Sequence, residues 1–535
     1  MVRISFLRGL ALAALMLLGA CGGGGGGGGG NPAALGLIGT NVAGETTVTL
    51  SGVATYDSVP NATGALIYSA TAAKPVRGAV VDVVNATSAA ILSTTATDAS
   101  GAYSVSVPSG TSVIVRVKAQ MLQRGSTGSW DVSVRDNTQS SAIYAMETPA
   151  FSIGAEAGTR NLHAPSGWGG SSYTSGRTAA PFAVLDTVYA AQTKVLSVAP
   201  NTVFPALRVF WSVNNVPAVG NPSLGQIGTT YFSDEDGAPA IYVLGKENVD
   251  TDEYDASVIA HEWGHYYQSA FSRDDSPGGT HSMADSLDRR VAFSEGWGNA
   301  WSGIALARSN YTDAVGAGQA SGSNVDLTAG AGPNPGWYRE ASIHSILWKL
   351  NSMVGFKPIH DTLTAASFKS GLAVTSIHPF TAAFGAAAPA SASALAGLLA
   401  AQNINAAAND PFGTMETNNG GITGAASPLP LYRSAAVGGN TSACVTNQAG
   451  PGNKLGDYVY LRFATPSARD YTITVAGPPA SDPDFVVYSG RQIAEATAVS
   501  TTEASSVGLP AGESVLVIND FNNSSAETCF TVTIQ

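Results

Sequence analysis

Hydrophobic and polar residues alternate in two long stretches of the chain, one near each end, and follow a helical period between them. Strand-like alternation occurs at 47–53, 76–84, 101–107, 112–118, 457–463, 470–475, 485–488, 514–518 and 529–534. Helical spacing occurs at 179–196, 253–271, 287–308, 340–351 and the alanine-rich 380–401. Strand-like pieces at 207–213, 229–232 and 240–244 lie between these helices. The pattern predicts a multidomain chain in which an α+β domain is flanked by two all-β sandwich domains.

The domain boundaries follow from where the period changes. We expect a β-sandwich over 46–150, an α+β domain over 155–433 and a second β-sandwich over 434–535. The 535 residues are 44% hydrophobic and only 12% charged, with a net charge of −12. A nucleic-acid-binding surface would need a basic stripe, so the composition argues against a nucleic-acid partner.

The first 45 residues have the order of an export signal. Arg3 and Arg8 precede the apolar run 10–18, which is too short for a mature membrane span. The run ends in Leu18-Gly-Ala-Cys21, which resembles a bacterial lipobox. The resemblance implies a signal peptide over 1–21, a lipid on Cys21 and a glycine-rich tether over 22–45. Because Gly22 and not Asp follows Cys21, it implies the outer membrane or cell surface rather than the inner membrane.

Two cysteines remain after Cys21, and they lie near the two ends of the last predicted domain. In an exported protein, Cys444 and Cys529 are expected to form a disulfide bond.

Both predicted sandwiches resemble known modules of secreted proteins. KPVRGAVVDVV followed by TDASGAYSVSVPSG is similar to the transthyretin-like domains appended to carboxypeptidases and bacterial exported proteins. DFVVYSG, GLPAGESVLVINDFNN and CFTVTI look like the pre-peptidase C-terminal sandwich of secreted bacterial proteases. These resemblances imply structural or binding modules without chemistry of their own.

The chemistry centres on His261-Glu262-Trp263-Gly264-His265, an H-E-x-x-H sequence in a helical segment. Residues four apart lie on one face of a helix, so both imidazoles can bind the same cation. Glu262 can then take a proton from a metal-bound water without being a ligand. This arrangement favours a catalytic Zn²⁺ site with an open position.

The third ligand decides the class of zinc site. A metzincin would have a histidine at position 271, where this chain has Phe271. Glu295 instead lies in an apolar helical segment, where an unpaired carboxylate would be costly and a metal would remove that cost. The segment resembles the third-ligand helix of gluzincins, the clan of thermolysin, fungalysin and zinc aminopeptidases. The resemblance implies Zn²⁺ bound by His261, His265 and Glu295, with Glu262 as general base.

The match to thermolysin-like enzymes is partial. They have an aspartate four residues after the ligand glutamate, where this chain has Asn299. Asn299 is either a hydrogen-bond acceptor for a ligand histidine or a plain helix-face residue. For the oxyanion donor, the resemblance implies a later Tyr or His, and the candidates are Tyr338 and His344.

The 29 residues between His265 and Glu295 (266–294) are more than the clan uses, and they predict a mobile flap or substrate rim. His281 lies in this segment, but a loop histidine is more often neither ligand nor substrate contact.

Together these features predict a zinc metallopeptidase that cleaves protein or peptide substrates and is attached to the membrane through the lipid on Cys21. The alternative is a surface-binding or adhesive lipoprotein whose zincin-like domain is inactive. Metal-dependent hydrolysis of a substrate other than a peptide also fits the ligands. Glu262 favours an enzyme, because an inactive scaffold has no need of a carboxylate between the two ligands.

Overall fold

The computed structural model describes residues 46–535. The signal peptide, the lipidation site at Cys21 and most of the tether predicted over 1–45 therefore lie outside the described residues. Within the described part, the chain is multidomain, with several sandwich-like β-sheets and one helical region.

The first 120 described residues form short and long strands, as their alternation predicts. These strands are β1 (Thr47–Ser58), β2 (Ala72–Pro75), β3 (Ala79–Asn85), β4 (Ile91–Ala96), β5 (Ala102–Pro108), β6 (Ser112–Gln123), β7 (Trp130–Asp136), β8 (Ala142–Ile143), β9 (Ala145–Glu147), β10 (Phe151–Ser152), β11 (Gly158–Thr159) and β12 (Leu162–Ala164). β6 alternates between half-buried and buried residues along most of its length, which places one face against the core.

The helical region follows, with five small strands before its second helix and two after its third. The helices are α1 (Ala180–Leu196), α2 (Ala256–Phe271), α3 (Arg289–Leu306), α4 (Glu340–Val354), α5 (Phe356–Thr364), α6 (Ala366–Lys369), α7 (Ile377–Ala387) and α8 (Ala392–Ala401). The strands are β13 (Leu207–Trp211), β14 (Tyr231–Ser233), β15 (Ala240–Val243), β16 (Gly245–Lys246), β17 (Asp250–Thr251), β18 (Asn310–Val315) and β19 (Ser321–Asp326).

The single helix expected over 380–401 is divided into α7 and α8. Pro389 follows Ala388, whose backbone (φ −137°, ψ 59°) is not helical. Proline disfavours helical geometry in the residue before it, and it lacks the N–H that a helix interior needs. No single helix in the described part is long and apolar enough to cross a membrane; the pair Ile377–Ala387 and Pro389–Ala401 meets those criteria together but is bent by 118°.

The sequence places a domain boundary near residue 150, but a β-sheet continues across it. A ten-stranded sheet has the order β14-β15-β13-β7-β6-β3-β4, and β7 pairs in parallel with β13. The buried residues of both segments also belong to one hydrophobic core. The physical reason is that β7 keeps a free edge until β13 pairs with it. The first β-rich segment is thus built into the helical region rather than appended to it.

The last hundred residues form a β-sandwich with its own core. Its strands are β20 (Arg433–Ser434), β21 (Asn440–Val445), β22 (Tyr458–Thr465), β23 (Arg469–Ala476), β24 (Pro483–Tyr488), β25 (Gln492–Ala496), β26 (Thr502–Leu509), β27 (Gly512–Asp520) and β28 (Thr528–Ile534). They make two sheets, β20-β22-β27-β24-β25 and β21-β28-β23-β26, with apolar residues of both sheets buried between them. Cys444 and Cys529 face each other on β21 and β28 and are bonded, which confirms the predicted disulfide.

The sandwich packs against the start of α3. The guanidinium of Arg289 lies 3.9 Å from the ring centre of Tyr460, and that of Arg290 lies 4.4 Å from the ring centre of Tyr458. Asp288 caps α3 by accepting from the Arg290 backbone N–H, and it also accepts the Tyr460 hydroxyl at 2.5 Å. Cation–π contacts of this kind are strongest where water is excluded, so the first turn of α3 is fixed by the sandwich.

Candidate metal centre

Helices α2 and α3 approach each other closely because glycines lie at their contact. A Cβ atom on Gly298 would lie 2.7 Å from Cε1 of His261, and one on Gly264 would lie 3.2 Å from the Cα of Gly298. A side chain at position 298 would therefore displace the His261 ring. The glycines allow a carboxylate on α3 to reach the histidines on α2.

Three side chains from these helices converge on one point. His261 Nε2 lies 3.0 Å from His265 Nε2 and 3.2 Å from Glu295 Oε2, and His265 Nε2 lies 3.7 Å from the same oxygen. Zinc bonds of about 2.0–2.2 Å at tetrahedral angles separate ligand atoms by roughly 3.3–3.6 Å. The observed separations lie on both sides of this range, so His261, His265 and Glu295 form a group that could hold a metal ion.

The Nδ1 atom of each histidine ring also lies within hydrogen-bond distance of a polar side chain. Nδ1 of His261 lies 2.9 Å from Oδ1 of Asn299. An amide oxygen can only accept, so Nδ1 carries the proton and Nε2 is left for a cation. Asn299 therefore accepts a hydrogen bond from His261, as the first of its two predicted roles requires. Ser294 Oγ lies 3.3 Å from Nδ1 of His265 and donates to Asp274 at 2.7 Å.

Glu262 lies near His261 and His265 on the partly exposed side of α2. Its Oε2 accepts the backbone N–H of Phe232 at 2.8 Å, which fixes the carboxylate. Burial raises the pKa of Glu262 above its ordinary value, although the charges of His261 and His265 act to lower it. A carboxylate with a raised pKa is better suited to take up a proton during a reaction.

Glu295 and His265 shift each other's pKa values. Burial acts to raise the pKa of Glu295, but hydrogen bonds from His261 and His265 outweigh it and hold that pKa well below the usual range. Burial acts to lower the pKa of His265, yet its hydrogen bond and charge interaction with Glu295 raise it to about 10. Without a metal, the Glu295 carboxylate is thus balanced by a proton on His265, which a divalent cation would displace on binding.

The two predicted oxyanion donors are not brought to this centre. Tyr338 donates its hydroxyl to Asn418 Oδ1 at 3.3 Å, so it points to a loop after α8. His344 is 1% exposed inside the core, where burial lowers its pKa to about 4. Tyr338 precedes α4 and His344 lies within it, and among the described residues neither side chain forms a hydrogen bond or ion pair with His261, His265 or Glu295. The direction of a side chain at a helix start depends on packing partners that the sequence does not reveal.

Tyr311 and His281 also lie at the centre, although the sequence patterns do not favour them as site residues. The ring centre of Tyr311, on β18, lies 6.0 Å from that of His261. Burial raises the pKa of Tyr311, followed by the nearby charges of Asp313 and Glu262. His281 Nε2 lies 3.3 Å from Glu295 Oε2 and 3.7 Å from Glu340 Oε2. No local pattern marks Tyr311, and His281 lies in a loop without periodicity.

No family model and no curated protein matches the sequence. Among solved structures, a pre-peptidase C-terminal domain of a collagenase from Bacillus anthracis is similar at 10% identity, covering 19% of this chain and 94% of that one, with a TM-score of 0.17. PliG from Aeromonas hydrophila, a periplasmic inhibitor of g-type lysozyme, is similar at 13% identity, covering 19% of this chain and 99% of that one, with a TM-score of 0.14. Both are weak similarities over 19% of the chain.

Proposed function

We propose that this chain is a zinc-dependent peptidase whose helical region is a zincin-type α+β catalytic domain of the gluzincin kind. The observation that supports this best is the convergence of His261, His265 and Glu295 on one point, with Glu262 beside them. Two neutral donors and one carboxylate leave a position open for water or substrate on Zn²⁺.

A bound Zn²⁺ would supply a water of lowered pKa and would polarise the scissile carbonyl group. Glu262 would take up a proton from the attacking water and pass it to the leaving nitrogen, so that water and peptide would give one carboxylate and one protonated amine. The Phe232 N–H holds one oxygen of Glu262 and leaves the other free for the proton. Asn299 keeps the His261 ring in the orientation that presents Nε2.

The decisive experiment separates zinc binding from catalysis. Glu262→Gln keeps the shape and removes the base, so we expect about one zinc per chain and a fall in casein cleavage of about 10²–10⁴-fold. Glu513→Gln is the matched control, because Glu513 is an exposed residue paired with Arg462 on the C-terminal sandwich. Zinc content is measured by elemental analysis, and wild-type cleavage is repeated with a chelator. Lack of near-stoichiometric zinc, or full activity in Glu262→Gln, contradicts the proposal.

We also propose that the protein is lipid-anchored in the bacterial envelope, with the outer membrane favoured, through Cys21. The support is the order of basic, apolar and small residues before Cys21. Cys21→Ser is expected to move the protein from the membrane fraction to the soluble fraction and to abolish labelling with a radioactive fatty acid. An unchanged distribution and label contradicts lipid anchoring but leaves the peptidase proposal intact.

A further inference from the structure

The loop between α2 and α3 (272–288) is attached to the C-terminal sandwich. Asn453 Nδ2 donates to the Gly278 carbonyl oxygen at 2.9 Å, and Lys454 Nζ donates to the Thr280 carbonyl oxygen at 2.7 Å. The sequence predicts a mobile flap here, whereas these hydrogen bonds tie the loop to another domain.

This attachment fixes the position of His281. Nδ1 of His281 lies 3.1 Å from the carbonyl oxygen of Gly279, and a Cβ on Gly279 would lie 3.0 Å from Nδ2 of Asn453. A carbonyl oxygen accepts, so Nδ1 donates, and Nε2 is the nitrogen left to bind a proton or a cation. The side chain of His281 is 27% exposed, so a cation can reach it from solvent.

Nε2 of His281 faces two buried carboxylates. It lies 3.3 Å from Oε2 of Glu295 and 3.7 Å from Oε2 of Glu340. Ligand atoms bound to zinc at about 2.0–2.2 Å are separated by roughly 3.3–3.6 Å at tetrahedral angles, so one separation lies within this range and the other just above it. The three residues therefore form a second group that could hold a metal ion.

Glu340 gives an independent reason to expect a cation at this position. It is the first residue of α4 and is 1% exposed, and its Oε2 accepts a long hydrogen bond of 3.4 Å from Nδ2 of Asn299. Its Oε1 has no hydrogen-bond partner within the part of the chain that the structure describes. A buried carboxylate oxygen without a partner is costly, and a bound cation removes that cost.

The two groups of ligands share one residue. His261, His265 and Glu295 form the candidate metal centre, and Glu295 also belongs to the group with His281 and Glu340. A carboxylate has two oxygens with lone pairs on each. Glu295 can therefore bind one cation on the side of α2 and another on the side of His281.

We propose that His281, Glu295 and Glu340 bind a second Zn²⁺ ion, which the Glu295 carboxylate bridges to the first. One imidazole and two carboxylates are donors that suit a divalent transition metal. The second ion is bound more weakly, because the two cations repel each other and share one carboxylate. Two ions about 3.5–4 Å apart can hold one oxygen of water or substrate between them. The inference rests on the zinc site of the proposed function, but not on peptide cleavage.

The test counts zinc ions in the full chain by titration calorimetry, after a chelator has removed all metal and has been dialysed away. The wild type should bind two ions, the second at least about tenfold more weakly than the first, so protein purified without added zinc should keep the first alone. Glu340→Gln keeps the side-chain shape and removes its charge, so it should bind one ion with nearly unchanged affinity. His281→Ala should likewise bind one ion.

Two control variants show whether the second ion binds at this position. His163→Ala removes an exposed histidine that pairs with Asp57, and it should still bind two ions. Asp313→Asn alters a separate group of acidic side chains, Asp250, Asp252 and Asp313, and it should also bind two ions.

Cobalt tests the carboxylate bridge in the wild-type protein. Two Co²⁺ ions about 3.5–4 Å apart interact magnetically, so the EPR signal per cobalt should fall when the second ion binds. Glu340→Gln with one Co²⁺ should give the signal of an isolated ion. Two bound Co²⁺ ions that do not interact overturn the inference.

Each contrary result in the zinc titration has a distinct meaning. A single ion in the wild type overturns the inference and leaves the peptidase proposal intact. Two ions in both Glu340→Gln and His281→Ala also overturn it, as does loss of the second ion in Asp313→Asn, because the second ion would then bind elsewhere. Loss of both ions in His281→Ala overturns it as well, since His281 would then be a ligand of the first ion. A wild-type protein that binds no zinc overturns this inference and the peptidase proposal together.

Discussion

Among the groups of metal-binding residue types in the described part of the chain, two differ in the direction in which their surroundings shift the pKa values of buried carboxyl groups. One is the candidate metal centre of His261, His265 and Glu295; the other is an acidic cluster of Asp250, Asp252 and Asp313, around β17 and β18. In each, the ligand atoms lie within 4.8 Å of one another.

The pKa shifts show the difference. Burial would raise the pKa of Glu295, but the histidines hold it well below the usual range. In the acidic cluster, burial and the neighbouring Asp313 raise the pKa of Asp250 to about 7, and burial and Asp250 raise that of Asp252 well above the usual range. A buried carboxylate is kept anionic by basic neighbours, whereas carboxylates that face one another are driven to bind protons. Only the first arrangement is ready to bind a cation near neutral pH without first losing protons from carboxyl groups.

The largest expected effect is on zinc affinity, when the carboxylate of Glu295 is removed. Glu295→Gln removes the only anionic ligand of the three, so we expect zinc affinity to fall by more than about 100-fold. Affinity is measured by competition with a chelator of known strength. Glu513→Gln, on the sandwich surface, should bind zinc like the wild type. Zinc affinity within a few-fold of wild type in Glu295→Gln would show that Glu295 is not a ligand.

A smaller effect is expected from the residue that orients His261. Asn299→Leu removes the acceptor for Nδ1, and we expect zinc affinity to fall by about 10- to 100-fold. Asn299→Asp keeps the acceptor and adds charge, so it should bind zinc at least as tightly as the wild type. Equal affinities for all three proteins would assign Asn299 to a structural role on the helix face.

The smallest effect concerns the acidic cluster. Because burial raises the pKa of Asp313, its carboxylate opposes folding once it is ionised. A carboxyl group whose pKa is higher in the folded than in the unfolded protein stabilises the fold at low pH, and that stabilisation is lost as the pH rises. Here the loss is expected between pH of about 4, the ordinary carboxyl pKa, and about 7, the pKa of Asp250 in the folded protein. Asp313→Asn should therefore raise the melting temperature by about 2–4 °C at pH 8, and the gain should vanish near pH 4.5.

This comparison is made by calorimetry in a chelator, so that no bound cation masks the repulsion. Asp361→Asn, at an exposed ion pair on α5, serves as the control and should show no such pH-dependent gain. A lower melting temperature for Asp313→Asn at pH 8, or an equal gain at both pH values, would contradict the interpretation of the cluster.

Short sequence patterns predicted the features that depend on interactions between residues near each other in the chain. The helical period located α2 and α3 within a few residues, and the spacing of His261 and His265 gave one face of one helix. Glu295 was identifiable because a carboxylate in an apolar helix needs a partner. The pairing of Cys444 with Cys529 followed from the number of cysteines that remain in the predicted exported part.

Long-range contacts could not be predicted in this way. The parallel pairing of β7 with β13 joins residues some 75 positions apart, and nothing in either strand names the other. For the same reason, the sequence indicates Tyr338 and His344 as candidates and gives no sign of Tyr311, although β18 carries Tyr311 to the His261 ring. His281 was set aside as a loop residue, because its placement depends on Asn453 and Lys454, which the sequence gives no reason to bring near it.

The packing of Tyr458 and Tyr460 on Arg289 and Arg290 has a consequence for when the centre can fold during synthesis. A chain is synthesised from its N-terminus, so both histidines and Glu295 emerge more than 150 residues before these tyrosines. During that interval the first turn of α3 lacks the aromatic rings that pack on it. The loop between α2 and α3 (272–288) likewise lacks its hydrogen bonds from Asn453 and Lys454. The order of synthesis therefore keeps the centre unfinished until nearly the whole chain has been made.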